Sequence, residues 1–131
     1  MKIGLDTSVV LRLLLGQPAQ QSNRAVAFLE ERSRRGDNAV VSDLVVAETY
    51  FALQHHYGVP KKEALAALRQ MFGGGEIESQ GVAAEVLGAE ELTSAKPGFV
   101  DRLILGAYVR SGGAMATFEK AAGRLKSVRV L

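Results

Sequence analysis

Four acidic residues lie beside or inside apolar segments of the chain, and they are Asp6, Glu48, Asp101 and Glu119. A carboxylate is rarely buried unless it is paired, hydrogen-bonded or bound to a metal ion. Carboxylates that converge on one point repel one another, and a divalent cation removes that repulsion. Because the donors would all be oxygens, the pattern predicts Mg²⁺ or Mn²⁺ rather than zinc or copper.

Carboxylate-held Mg²⁺ commonly serves phosphate chemistry, because it neutralises phosphate oxygens and lowers the pKa of a water that attacks in line. Hydroxyl side chains that could orient this water lie next to the acids, at Thr7, Ser8 and Thr117. Other chemistries lack support. The chain has no cysteine, and its two histidines, His55 and His56, lack the i, i+4 spacing of a helical zinc pair.

Each acid also has a structural interpretation. Asp6 could simply cap the helix expected at residues 9–15. Glu48 has only apolar residues three and four positions away, which predicts a buried site; the alternative is a buried ion pair with an arginine. Asp101 and Glu119 each precede a helical segment, where the helix dipole alone stabilises an acid.

Composition indicates one globular domain over residues 1–131, since 47% of the residues are apolar and 23% are charged. No apolar run approaches the about 18 residues of a membrane span, and Asp6 interrupts what would be the core of a signal peptide. With no cysteine, we expect a reducing, cytoplasmic location and no membrane contact. The net charge of +2 permits a nucleic-acid partner without indicating one.

Short apolar runs alternate with amphipathic segments along the chain. The runs predict strands at residues 3–5, 39–41, 76–79, 114–118 and 127–131. The amphipathic segments predict helices at residues 9–15, 22–35, 42–57, 60–71, 82–92, 103–109 and 120–125. Strands separated by helices predict an α/β fold, a three-layer α/β/α sandwich with a short central parallel sheet.

Four motifs carry a resemblance to a known family, at residues 3–10, 46–49, 99–104 and 116–120. In this order they resemble the PIN-domain family, and in particular the ribonuclease toxins of VapBC-type toxin–antitoxin pairs. The resemblance implies a metal-dependent endoribonuclease that forms a homodimer and is blocked by a small antitoxin protein.

The resemblance also implies roles for individual residues. The acids Asp6, Glu48 and Asp101 would bind the metal, and Thr117 would support catalysis together with the fourth acid. That fourth position is usually aspartate in the family, whereas here it is Glu119. Glutamate in place of aspartate would change either the binding of a second metal ion or the positioning of water.

Two other functions stay open from the sequence. The departure at Glu119 favours a PIN-like module that binds RNA or protein without cleaving. A phosphotransfer domain that uses Asp6 or Asp43 as acceptor fits less well, because Ser8 stands where a dehalogenase-type phosphatase has a second aspartate. Basic residues near the acids are candidates for RNA phosphate contacts, and they are Arg12, Lys96, Arg102, Lys120 and Arg124.

Overall fold

The computed structural model describes all 131 residues, which form five strands, six α-helices and one 3₁₀-helix. In chain order these are β1 (Lys2–Gly4), α1 (Thr7–Leu15), α2 (Ala19–Arg34), β2 (Asn38–Val41), α3 (Asp43–His55), α4 (Lys61–Gly73), β3 (Ile77–Ser79), α5 (Ala83–Leu87), α6 (Phe99–Arg110), β4 (Met115–Thr117), the 3₁₀-helix (Lys120–Arg124) and β5 (Val128–Val130). No helix is long and apolar enough to cross a membrane.

All strand pairs are parallel, as the sequence predicts. The strands β1, β2 and β3 form one sheet in that order, with Ile3 opposite Ala39 and Ala39 opposite Ile77. A second pair joins β4 to β5, with Met115 opposite Val128. The carboxyl ends of parallel strands point the same way, so residues that follow them lie at one edge.

Helices cover both faces of the main sheet. Three consecutive residues of β2, Ala39, Val40 and Val41, are buried, and successive side chains of a strand point to opposite faces. Helix α2 packs against β2, and α4 packs against β3. The predicted α/β fold with a short parallel sheet is therefore confirmed.

Aromatic packing ties the start of α6 to the middle of α3. The ring of Phe99 meets that of Tyr50 edge-on, with 5.1 Å between centroids and 71° between planes. Both residues belong to a hydrophobic core of 18 buried residues. This contact fixes the two helices that carry Glu48 and Asp101.

One predicted helix is too long. The helix expected at residues 82–92 ends at Leu87, because Gly88 caps it and turns follow. The apolar residues of α2 are only partly covered, since Val26 is 43% exposed and Phe28 is 37% exposed. An apolar stripe predicts a face, but whether another element packs on that face depends on tertiary structure.

Candidate active site

Asp6 follows β1 and is the N-cap of α1. Its Oδ1 accepts a hydrogen bond of 2.6 Å from the Ser8 hydroxyl and one of 3.2 Å from the Val9 backbone N–H. The Ser8 bond, followed by the Val9 bond, lowers the pKa of Asp6. The capping interpretation is thus confirmed. It leaves the second oxygen, Oδ2, open to another ligand.

Glu48 lies in α3 and is held by Thr7, the residue after Asp6. The Thr7 hydroxyl donates a hydrogen bond of 3.1 Å to Oε1 of Glu48. The prediction that Glu48 is buried is wrong, because Glu48 is exposed. Its apolar neighbours Leu44 and Phe51 are themselves 72% and 46% exposed, so this face of α3 is open. The buried ion pair is also wrong, since no arginine or lysine pairs with Glu48.

Asp101 and Glu119 are exposed at the starts of their helices. Asp101 lies in the first turn of α6, and its carboxylate has no hydrogen-bond or ion-pair partner. Glu119 precedes the 3₁₀-helix, and its backbone N–H donates a bond of 3.0 Å to the Thr117 hydroxyl. Thr117 therefore fixes the backbone at Glu119, while the Glu119 carboxylate stays unpaired.

The four acids do not form one cluster in this structure. No three or more acidic or histidine side chains approach closely enough to hold a metal ion. Glu48 is bonded to Thr7, the residue after Asp6, whereas the carboxylates of Asp101 and Glu119 are exposed and have no partner. As donors, exposed carboxylates with free oxygens fit a hard divalent cation.

Asp43 has a structural role that the sequence did not reveal. Its two carboxylate oxygens accept hydrogen bonds from the backbone N–H groups of Val82 (3.1 Å) and Ala83 (3.0 Å), at the start of α5. A Cβ on Gly81 would clash with the carboxylate of Asp43. Because both oxygens are engaged, Asp43 is poorly suited to be a phosphate acceptor.

A cavity of about 450 Å³ opens between α1 and α2 beside Asp6. Its lining residues are Ser8, Val9, Arg12, Gln21, Arg24, Ala25 and Phe28. Sequence reasoning identified only Arg12 among these as a possible RNA contact. The sequence does indicate that three of the others lie together, because Gln21, Arg24 and Phe28 have the three- and four-residue spacing of one helix face.

A second basic cavity, of about 490 Å³, lies near Glu119. Three of its lining residues are cationic, Lys96, Lys120 and Arg124, and none of them pairs with an acid. Two of the candidate RNA contacts also donate to backbone carbonyls. Arg102 Nε bonds Pro97 at 2.8 Å, and Arg124 Nη2 bonds Lys96 at 3.0 Å.

Comparison with protein families gives one match, to the model described as PIN domain, over residues 3–128. The match spans nearly the whole chain and includes all four acids. Comparison with curated proteins gives no significant match.

Proposed function

Because the chain belongs to the PIN-domain family, whose members are typically nucleases, we propose that it is a metal-dependent endoribonuclease. We further propose that residues 1–131 form one PIN-like domain, which acts in the cytoplasm as the toxin of a VapBC-type pair. The observation that carries the proposal is the hydrogen bond from Thr7 to Glu48. It couples the first two acids at the carboxyl end of β1, where open α/β sheets bind ligands.

Three acids would hold the cation, Mg²⁺ or Mn²⁺: Asp6, Glu48 and Asp101. The cation, when bound, neutralises phosphate oxygens and lowers the pKa of water. The hydroxyl of Ser8 stabilises the ionised form of Asp6 and so lowers its pKa. The hydroxyl of Thr7 orients Glu48, and each of these two carboxylates retains one oxygen for the cation.

Glu119 and Thr117 would position water rather than bind the cation directly. Glutamate is longer than aspartate by one methylene, about 1.5 Å. Mg²⁺ requires ligands near 2.0–2.1 Å in octahedral geometry, so a carboxylate displaced by this length acts best through water. Thr117 supports this role because it holds the backbone N–H of Glu119 at 3.0 Å.

RNA is the proposed substrate, and cationic side chains near the acids support this choice. Arg12 lies in the cavity beside Asp6, and Lys96, Lys120 and Arg124 lie in the cavity beside Glu119. None of these cations pairs with an acid, so their charges are available to phosphate oxygens. Arg12 and Arg124 each use one guanidinium nitrogen in another hydrogen bond and keep the others as donors. Phosphate contacts supply affinity without sequence choice.

The proposed partners are a second copy of the chain and a small antitoxin. Exposed apolar residues on α3 and α6 support a homodimer, notably Leu44 and Ile104. Sedimentation should show a dimer at micromolar concentration, and Leu44→Ser with Ile104→Ser should yield a monomer. Val26→Ser is the control on α2, because Val26 is 43% exposed and Ile104 is 44% exposed. Co-expression with the product of an adjacent small reading frame tests the antitoxin.

A cleavage assay tests the ribonuclease proposal. The protein should cut single-stranded RNA in Mg²⁺ or Mn²⁺ and stop when EDTA is added. Asp6→Asn should abolish cleavage without unfolding the protein, because asparagine is as good an N-cap as aspartate. Glu90→Gln, which removes an exposed acid elsewhere, is the control. Metal-independent cleavage, or full activity of Asp6→Asn, contradicts the proposal.

A second candidate function is a PIN-like module that binds RNA without cutting it. The observation that favours it is the separation of the four acids, since no three of them come together. The same assay separates the two functions. A module retains RNA binding but shows no cleavage at any metal concentration.

A further inference from the structure

We propose that the cavity between α1 and α2 is a subsite for unpaired RNA, in which Arg12 and Arg24 bind a phosphate and Phe28 stacks on a base. This inference deepens the proposed ribonuclease function and rests on it. It assigns the cavity to the nucleotides that flank the cleaved bond.

Arg12 is held in place for such a contact. Its Nε donates a hydrogen bond of 2.5 Å to Oε1 of Gln21, across the two helices. The terminal nitrogens of its guanidinium remain as donors. Arg24 lies one helical turn beyond Gln21, also lines the cavity and is exposed. Neither arginine pairs with an acid, so the cavity carries two uncompensated positive charges.

Phe28 provides an aromatic surface in the same cavity. Its ring is 37% exposed and lines the cavity, so part of its surface is open to a base. The guanidinium of Arg32 lies 5.4 Å from the ring centroid, and Arg32 is itself held by Asp37 at 3.5 Å. The ring is therefore fixed by a cation–π contact before any ligand arrives.

The cavity is continuous with the acids. Ser8 lines it and donates the 2.6 Å hydrogen bond to Asp6, so a nucleotide in the cavity neighbours the phosphate that Asp6 would serve. A contact between the RNA and this cavity would align the RNA strand with the acids.

The combination of groups points to a single strand. Proteins that hold single strands combine cations along the backbone with aromatic rings on which bases stack. A duplex keeps its bases stacked inside, so an aromatic ring has no base to meet. An acidic protein segment could also neutralise Arg12 and Arg24 and pack on Phe28, and binding of a poly-glutamate peptide separates this alternative from RNA.

Binding of a labelled RNA of about 12 nucleotides, a typical site size, tests the inference. Fluorescence anisotropy is measured in EDTA, so that RNA is not cut. Arg12→Ala and Arg24→Ala should each weaken binding and reduce the dependence on salt by about one unit of slope. Arg69→Ala removes an exposed, unpaired arginine of α4 and should leave both quantities unchanged.

Variants of Phe28 separate the contribution of base stacking to RNA binding from the contribution of charge. Phe28→Leu keeps apolar bulk and should weaken binding of the single strand about tenfold, whereas Phe28→Tyr should retain it. The same RNA annealed to its complement should bind more weakly to the wild type and be insensitive to Phe28→Leu. Single-strand binding that is unchanged in Phe28→Leu, or in both arginine variants, overturns the inference.

The outcome is independent of whether the protein cleaves RNA. If the wild type cuts RNA but Arg12→Ala and Phe28→Leu leave KM unchanged, the subsite is wrong and the ribonuclease stands. If the variants lose RNA binding although the wild type never cuts, the subsite stands and the catalytic proposal is wrong. If binding of a poly-glutamate peptide requires Arg12 and Arg24 while binding of RNA does not, the cavity is a site for a protein segment and the inference is overturned.

Discussion

The hydroxyl of Thr7 donates a hydrogen bond of 3.1 Å to Glu48, a residue 41 positions later in the chain. Thr7 begins α1 directly after Asp6, so the bond connects the end of β1 to the middle of α3. The bond therefore fixes Glu48 relative to the segment that carries Asp6, and these are the first two acids of the proposed metal site. It also gives Thr7 a role that a helix-starting residue does not otherwise require.

Thr7→Val should therefore impair the metal site while leaving the fold intact. Valine matches threonine in shape but cannot donate to Glu48. Loss of a group that orients a metal ligand typically costs 10–100-fold in metal affinity or activity. We expect the Mg²⁺ concentration needed for half-maximal cleavage to rise about tenfold, and Thr7→Ser to restore it. An unchanged Mg²⁺ requirement in Thr7→Val would show that the bond is incidental.

Ser8 should determine the pH below which Asp6 becomes protonated, because its hydrogen bond is the main cause of the lowered pKa of Asp6. An acid whose pKa is lower in the folded state stabilises the fold above its ordinary pKa, and this stability is lost as pH falls through the lowered value. Ser8→Ala should raise the pKa of Asp6 toward its ordinary value, measured by NMR titration of the carboxyl carbon.

The same substitution makes a prediction for stability. Alanine favours the helix at every pH, so only the change with pH is informative. The melting temperature of Ser8→Ala relative to wild type should improve as pH falls from 7 through the lowered pKa of wild-type Asp6, because the Ser8 bond no longer stabilises a carboxylate once Asp6 is protonated. A difference that is constant with pH would mean that the Ser8 bond has no effect on the ionisation of Asp6.

Glu119 should contribute less than Asp6. Glu119→Gln keeps a hydrogen-bonding group that can orient water, so we expect a smaller loss of kcat than in Asp6→Asn. Glu119→Asp should be tolerated and should strengthen binding of a second cation, because aspartate is the usual residue at this position of the family. If Glu119→Asp abolishes cleavage with metal binding unchanged, the longer side chain is required by the mechanism.

Gly81 should be needed for stability because it lies against Asp43. A Cβ at Gly81 would displace the Asp43 carboxylate, which bonds the backbone N–H groups of Val82 and Ala83. Gly81→Ala should cost about 1–3 kcal/mol in the free energy of unfolding, measured by urea denaturation. Gly74→Ala is the control, since nothing lies within 4 Å of its added Cβ. Equal stability of the two variants would show that Asp43 moves aside freely.

The fold was largely predictable from local patterns. The apolar run at residues 39–41 gave a buried strand, and Ser42 caps the next helix through a bond to the Val45 N–H. Such signals depend on residues close together in the chain. The helix predicted to reach residue 92 ends at Leu87, because Gly88 caps it.

The site was less predictable, because its geometry depends on packing. Apolar neighbours such as Leu44 and Phe51 predict a buried Glu48, yet Leu44, Glu48 and Phe51 are all exposed. Periodicity identifies which residues share a face but not whether the face is covered. Likewise Asp43 bonds Val82, 39 positions away, and no local pattern indicates that contact.

The central claim is that Asp6, Glu48 and Asp101 hold one divalent cation, although no three acids are gathered in this structure. Calorimetric titration with Mn²⁺ tests it most directly, on the wild type, Glu48→Gln, Asp101→Asn and the control Glu90→Gln. We expect the wild type and Glu90→Gln to bind Mn²⁺ equally, and the other two variants to bind at least tenfold more weakly. Equal Mn²⁺ affinity in all four proteins would contradict the claim.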